Sequence, residues 1–137
     1  MIDNFKGENF FLSNFYPTAV EYRGLIFPTS ENAYQAAKCK NDDDFIMFVN
    51  MTAGESKKAG QKVDLINNWD VRKLGIMREI LKSKFADPEL IRLLSLTDDQ
   101  LLVEGNTWGD TYWGVCNGKG ENNLGKELML IRDEINK

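Results

Sequence analysis

The stretch TSENAYQAAK, residues 29–38, carries a carboxylate, an amide and an ammonium group at a regular spacing. In a helix, intervals of four and then three residues place Glu31, Gln35 and Lys38 on one stripe. The spacing leaves two interpretations open. The stripe is either a solvated face whose charges complement the helix dipole, or the wall of an active site. In the second case the carboxylate exchanges protons and the lysine acts as a cation or a nucleophile.

The segment EGNTWGDTYWG, residues 104–114, is the second candidate for chemistry. It combines two acids, Glu104 and Asp110, with two tryptophans and three glycines. Glycine permits close approach of the backbone to a ligand, and tryptophan can stack on a planar base. The same composition also describes a turn-rich hairpin whose tryptophans fill the core, and the pattern alone does not separate the two interpretations.

Three further segments carry polar groups for which a structural role is the simpler interpretation. In LSNFYP, Ser13 and Asn14 lie between apolar residues and can satisfy a turn or reach a ligand. Trp69 begins a helical pattern and either packs there or forms a stacking platform. GKGENNLG, residues 118–125, combines a glycine turn with a helix start, which can bind a phosphate or simply cap the helix.

The amino-acid composition limits which side chains can act as catalysts or metal ligands. The chain of 137 residues contains no histidine, so a histidine-dependent catalytic triad and a histidine-ligated metal are excluded. Carboxylates and lysines then remain to transfer protons, and we expect no cofactor and no metal. A net charge of −4 without a basic block disfavours nonspecific binding along a nucleic-acid backbone.

The two cysteines, Cys39 and Cys116, are expected to be free thiols in a reducing compartment. The amino-terminal residues do not resemble a signal peptide, and no apolar stretch approaches the ~18 residues that span a bilayer. We therefore expect a cytoplasmic protein without membrane association. Its oligomeric state is not predicted.

Hydrophobic periodicity predicts a mostly helical α+β chain with a few short strands, organised as one domain over residues 1–137. Extended structure is expected at 8–17, 100–104 and 111–115, and a hairpin with a short turn at 19–28. Helices are expected at 29–38, 42–51, 55–63, 70–86 and 121–137 and from Pro88, with Gly54 as a break before the helix at 55–63.

Several of these segments, taken in order, resemble the NADAR superfamily of YbiA-like proteins. The matching motifs run nearly end to end: FLSNFYP, VEYRGLIFP, TSENAYQAAK, NNWDVRKLGIM, KF before DPEL, LVEGNTWGDTYWGV and GENNLGKELMLIRDEI. One departure is Asn32, where the family commonly has histidine.

The resemblance implies an α+β domain with a polar cleft and N-glycosidase activity. The implied substrates are a nucleotide-like small molecule, namely a phosphoribosylamino-pyrimidine intermediate of riboflavin synthesis, or ADP-ribosylated guanine in nucleic acid. The alternative is a noncatalytic module that binds NAD or ADP-ribose. The implied catalytic residues are Glu31, Lys38 and Asp110. The implied substrate-binding residues are Ser13, Asn14, Phe15, Gln35, Trp69, Arg72, Glu104, Trp113, Gly114 and Asn122.

Overall fold

The computed structural model describes residues 1–137. Six α-helices and four short strands make up its regular structure, with short 3₁₀ turns at residues 7–12 and 48–50, so the predicted mostly helical α+β class is confirmed. Contacts divide the chain into two compact units, one formed by residues 14–84 and one by residues 1–13 with 85–137. The single-domain organisation stays a prediction. No helix combines the length and apolar character that crossing a membrane requires.

The unit of residues 14–84 begins with the predicted hairpin. Strands β1 (Val20–Tyr22) and β2 (Leu25–Phe27) pair antiparallel, and Val20 lies opposite Phe27. Arg23 and Gly24 form the two-residue turn with φ of 49° and 85°, the left-handed backbone that a tight hairpin turn needs. Val20 and Phe27 are fully buried, so the hairpin turns one face into the core.

Helix α1 (Ser30–Ala37) follows the hairpin, with Thr29 as its N-cap. The Thr29 hydroxyl accepts a hydrogen bond from the Asn32 amide at 3.0 Å. All eight residues of α1 are buried. It packs against α3 (Ala53–Ala59) and α4 (Trp69–Lys84), as well as against the hairpin. Such a helix needs small residues at its contacts, and Ala33 and Ala36 are fully buried.

The helices around α1 match most of the periodicity. Helix α2 (Asp42–Met47) ends in a 3₁₀ turn at 48–50, and α4 confirms the pattern expected for residues 70–86. The expected break at Gly54 was wrong. Thr52 and Glu55 form a reciprocal capping box, which starts α3 at Ala53 and places Gly54 inside its first turn.

In the other unit, helices α5 (Pro88–Ser95) and α6 (Asn123–Ile135) pack together. Asp87 caps α5 through hydrogen bonds from the Glu89 and Leu90 amides. The extended conformation expected from residue 8 was wrong, because Gly7 at φ 57° starts a 3₁₀ turn that buries Phe11 and Leu12. The core includes Leu12, Leu94, Leu102 and Leu128, all fully buried.

The strands expected at 100–104 and 111–115 were also wrong in position. The strands of this unit are β3 (Gly105–Asn106) and β4 (Val115–Cys116), which pair in parallel. Within residues 100–104, pairing is limited to a single bridge between Leu102 and Ile2. The apolar run QLLVE therefore reflects burial of Leu102 more than it reflects a ladder of backbone hydrogen bonds.

Candidate functional site

The polar stripe of α1 is not a solvated face. The exposed fractions of Glu31 and Gln35 are 8% and 5%. A carboxylate withdrawn from water is costly unless hydrogen bonds or charges stabilise it. The Gln35 side chain supplies such a bond, since its Nε2 donates to Glu31 Oε2 at 2.6 Å. The predicted spacing therefore brings these two groups into direct contact inside the protein.

Asn14 fixes the start of the same helix. Its carbonyl oxygen accepts a hydrogen bond from the Glu31 amide at 2.9 Å, which satisfies one of the free amides of the first turn. Its side-chain Oδ1 accepts from the Ser30 hydroxyl at 2.8 Å, and the residue is 8% exposed. Asn14 thus holds the backbone from which the Glu31 side chain projects.

Lys38 is the C-cap of α1 and is only partly buried. Its Nζ lies 5.6 Å from the ring centroid of Tyr34 and 5.9 Å from that of Trp69. Burial lowers the pKa of the Lys38 ammonium below its usual value; the nearby Glu31 carboxylate opposes this shift and Lys73 adds to it. The Lys38 side chain therefore lies beside two aromatic rings, and its neutral form is more favoured there than it is in water.

Tyr34 was not among the predicted site residues. It precedes Lys38 by four residues, a helical spacing that identifies it in retrospect. Trp69 packs on it with ring centroids 5.3 Å apart and is itself 8% exposed. The structure thus uses Trp69 mainly as a wall beside Lys38 and leaves little of its ring free for stacking on a base.

Asn32, at the position where the resemblance implies a histidine, is fully buried and hydrogen bonded through both ends of its amide. Its Nδ2 donates to the carbonyl oxygens of Phe48 and Met51 at 2.8 and 2.7 Å. Its Oδ1 accepts from the Thr29 hydroxyl at 2.6 Å. Asn32 therefore ties α1 to the turn at residues 48–50, and none of its polar atoms is left to contact a substrate.

The structure places Phe15 and Arg72 beside other groups of the same unit. Phe15 is 38% exposed, and Lys57 Nζ lies 6.0 Å from its ring centroid. Arg72 lines a cavity of about 590 Å³ together with Arg23 and Glu79. The lining of that cavity does not include Glu31, Gln35, Lys38 or Trp69.

The thiol of Cys39 also borders this cavity. Burial, followed by the nearby Asp44 carboxylate, raises its pKa to about 11. A thiol with that pKa is protonated at neutral pH and is a poor nucleophile. Both cysteines are free, as predicted. Nucleophilic chemistry by Cys39 is thus disfavoured by its surroundings.

In the other unit, Asn106 organises the loop that carries Glu104 and Asp110. Its Nδ2 lies within hydrogen-bond distance of Glu104 Oε2 at 3.0 Å and of the Asp110 carbonyl at 2.8 Å. Its Oδ1 accepts from the Asp110 amide at 3.0 Å. Sequence reasoning missed Asn106. The available signal was a turn-forming asparagine four residues before an acid within a glycine-rich loop.

The Asp110 carboxylate accepts hydrogen bonds from backbone amides of its own loop. Its Oδ1 accepts hydrogen bonds from the amides of Tyr112 and Trp113 at 3.1 and 2.9 Å, which forms a compact side-chain turn. The Trp113 ring then packs edge-on against Tyr112, with centroids 4.8 Å apart. One role of Asp110 is therefore to shape the loop that presents the aromatic pair.

Asn122 and Gly114 bring the chain close to Glu104. Asn122 Oδ1 accepts from the Glu104 amide and Nδ2 donates to the Leu102 carbonyl, each at 2.9 Å. A Cβ on Gly114 would lie 2.1 Å from the Glu104 carbonyl oxygen, so only glycine fits there. Ser13, whose amide donates to the Phe10 carbonyl, ends the 3₁₀ turn of this unit.

The model of the NADAR domain family matches residues 3–136. The chain belongs to the NADAR family. A relative from Nostoc punctiforme, named an N-glycosidase, is 37% identical over 131 residues, which cover 90% of this chain and 83% of the relative. The solved NMR structure of the Escherichia coli protein YbiA superposes with a TM-score of 0.87 at 32% identity, covering 99% of this NADAR chain and 85% of YbiA.

A third relative is a riboflavin biosynthesis protein from Vibrio vulnificus. It is 32% identical over 134 residues, which are 91% of this NADAR chain but 35% of the Vibrio protein.

No cluster of three or more cysteine, aspartate and glutamate side chains has an arrangement that could hold a metal ion.

Proposed function

We propose that this NADAR protein is an N-glycosidase that hydrolyses the bond between ribose and a base. The observation that carries the proposal is the buried Glu31 carboxylate, held by Gln35 at 2.6 Å and electrostatically coupled to the partly buried Lys38. Relatives named as N-glycosidases align over most of their own length, which supports the same class of reaction.

Cleavage of an N-glycosidic bond develops positive charge at the anomeric carbon and negative charge on the leaving base. A fixed carboxylate stabilises that positive charge, and the stabilisation is stronger where water is excluded. Glu31 meets both requirements, because it is buried and its orientation is set by a hydrogen bond. We assign it the electrostatic and acid/base role.

Lys38 is the proposed nucleophile. Its lowered pKa increases the fraction of neutral amine, the form that can attack a carbon atom. The Nζ–anomeric carbon bond forms as the bond to the base breaks, and the proton lost by Nζ passes through Glu31 to the leaving nitrogen. The sugar then opens to an imine. Water hydrolyses the imine and returns the free amine.

The loop of residues 104–114 is proposed to contribute substrate contacts. Asp110 Oδ1 is engaged by two backbone amides, and its Oδ2 is the oxygen that we assign to a ribose hydroxyl. Trp113 is half-buried and is the proposed surface for the base. Glu104 and Asn122 support this loop from within.

The substrate is a ribosylated base of one of two kinds. One is a phosphoribosylamino-pyrimidine, consistent with a relative named for riboflavin biosynthesis. The other is ADP-ribosyl-guanine. Incubating the purified protein separately with each substrate and quantifying the released base or sugar distinguishes them. A noncatalytic NAD or ADP-ribose-binding module would instead bind ligand in calorimetry and release no product.

Glu31→Gln tests the chemical assignment. The substitution keeps the size of the side chain and removes its charge, so we expect the protein to fold and kcat to fall about 10²–10⁴-fold. Circular dichroism and thermal unfolding check the fold. Full hydrolysis by a folded Glu31→Gln protein would contradict the role assigned to Glu31.

A further inference from the structure

Gln35 makes an incomplete set of hydrogen bonds in a place where incompleteness is costly. It is 5% exposed, its Nε2 donates to Glu31, and its Oε1 is buried without a hydrogen-bond partner. A buried acceptor without a hydrogen-bond partner destabilises the folded state. Turning the amide over would face Oε1 towards the Glu31 carboxylate, which is repulsive. The hydrogen bond to Glu31 therefore determines the orientation of the Gln35 amide and leaves its Oε1 without a hydrogen bond.

Gly60 provides the space for that other end. A Cβ on Gly60 would lie 1.9 Å from Gln35 Oε1 and 2.7 Å from its Cδ. The backbone of Gly60 has φ −62° and ψ −17°, which any residue adopts, so its conformation does not require glycine. Backbone entropy alone would favour alanine over glycine at this position. The structural reason for glycine at position 60 is the space that the Gln35 amide occupies.

We propose that Gly60 and Gln35 are positioning residues for Glu31. Gly60, directly after α3, leaves the gap in which the Gln35 amide lies, and the amide in turn fixes the Glu31 carboxylate. Gln35 thus acts through Glu31 and does not itself bind the substrate. This inference rests on the proposed function, because the role of Glu31 is assigned there.

Gly60→Ala is the decisive variant. The atoms that a new Cβ meets most closely are the flexible amide end of Gln35, with the Gln35 Cβ at 3.2 Å, so we expect the fold to persist and the amide to move away from Glu31. We expect kcat to fall about 10–100-fold with little change in KM. The acidic limb of the pH–activity profile should also move to higher pH, because a carboxylate that loses an amide donor is less stabilised in its charged form.

Gly54→Ala is the matched control. Gly54 lies in the first turn of α3, and no heavy atom lies within 4 Å of its would-be Cβ. We expect this variant to keep the activity and the pH profile of the unchanged protein. A parallel loss in Gly54→Ala would mean that stiffening of α3, and not displacement of Gln35, causes the effect.

A double substitution tests whether the two residues act as one unit. If Gly60 acts through Gln35, then Gln35→Ala/Gly60→Ala has the activity of Gln35→Ala alone. The proposal is overturned if Gly60→Ala keeps wild-type kcat and pH profile, or if it costs the same factor in both backgrounds. Should Gly60→Ala fail to fold, Gln35→Ala must by itself reduce kcat and shift the acidic limb.

A spectroscopic readout separates this inference from the proposed reaction. The side-chain amide signals of Gln35 in ¹H–¹⁵N NMR spectra should shift in Gly60→Ala and in Glu31→Gln, but not in Gly54→Ala. Unchanged Gln35 signals in Gly60→Ala would refute the positioning device. Shifted signals in a protein that hydrolyses neither substrate would support the device and reject the N-glycosidase assignment.

Discussion

Glu31 and Lys38 lie seven residues apart in sequence, and the protein withdraws each of them at least partly from water. A short hydrogen bond from Gln35 helps to compensate the Glu31 carboxylate for its lost hydration, whereas the Lys38 ammonium group faces two aromatic rings. An ammonium group gains from the face of an aromatic ring but loses its hydration when buried. The net lowering of the Lys38 pKa shows that the loss of hydration outweighs the attraction of Glu31.

Lys38→Arg distinguishes a nucleophile from a charge partner. Arginine keeps the positive charge but stays protonated at every accessible pH, so it cannot form an imine. We expect activity to fall more than about 100-fold. In the unchanged protein, borohydride added during turnover should reduce the imine and leave the sugar covalently attached, which intact-mass spectrometry detects.

The Lys38→Arg protein should show no such adduct. Lys73→Arg, a change at the neighbouring lysine on α4, serves as the control and should retain both activity and trapping. If Lys38→Arg keeps most of its activity and the unchanged protein forms no adduct, Lys38 acts as a cation and the imine step is wrong.

Much of the site at residue scale follows from spacing. The contact between Glu31 and Gln35 is local to one helix, so the interval of four residues is enough to predict it. The burial of the stripe is not predictable in this way, because it depends on α3 and α4, which are remote in sequence. Gly60 acts through Gln35, which is remote in sequence, so no local pattern identifies it. Asn106 bonds Glu104 and Asp110 within its own loop, and its local signal was simply not used.

At the scale of elements, the helices and the hairpin of β1 and β2 were predictable, whereas strands β3 and β4 were not. Thr29 and Asp87 cap helices through their own side chains, and such signals lie within a few residues. Strands β3 and β4 each have two residues, too few for a hydrophobic period. Their pairing depends on Gly114, whose missing Cβ lets the chain approach Glu104.

Gly125→Ala tests how closely α6 must approach the segment before β3. A Cβ there would lie 2.1 Å from the Leu102 carbonyl oxygen and 2.5 Å from both polar atoms of the Asn122 amide. Because a backbone carbonyl cannot move aside easily, we expect a loss of about 1–3 kcal/mol in the free energy of unfolding. Urea denaturation monitored by tryptophan fluorescence measures it.

Gly75→Ala is the corresponding control in a helix. Gly75 is exposed on α4 with no heavy atom within 4 Å of its would-be Cβ, so alanine should stabilise the protein by about 0.5–1 kcal/mol. Opposite signs for the two substitutions are expected. Stabilisation by Gly125→Ala would show that α6 shifts without penalty and that the close approach is unimportant.

At the scale of the whole molecule, Lys84 couples stability to pH. It ends α4 with an exposed fraction of 1%, and its Nζ lies 5.8 Å from the ring centroid of Tyr16. Burial lowers its pKa from 10.5 to about 7. A charge held in such surroundings opposes folding, by an amount that we place on the order of a few kcal/mol.

The sign of the pH dependence follows from proton binding. Below about pH 7 the lysine is protonated in both states, so the native state bears the full cost of burying the charge. Between about pH 7 and 10.5 the native protein releases the proton while the unfolded chain keeps it, and stability rises with pH. Above that window this contribution is constant.

Lys84→Met removes the charge and keeps a long apolar stem in the same space. We expect it to raise the unfolding temperature at pH 6 by about 5 °C or more, with the difference shrinking as pH rises through the window. Thermal unfolding of both proteins at a series of pH values from 6 to 10.5 measures the change. Lys82→Met, at an exposed position of the same helix, should show no comparable trend. A Lys84→Met effect that stays constant with pH would mean that packing, and not burial of the charge, sets the contribution of Lys84.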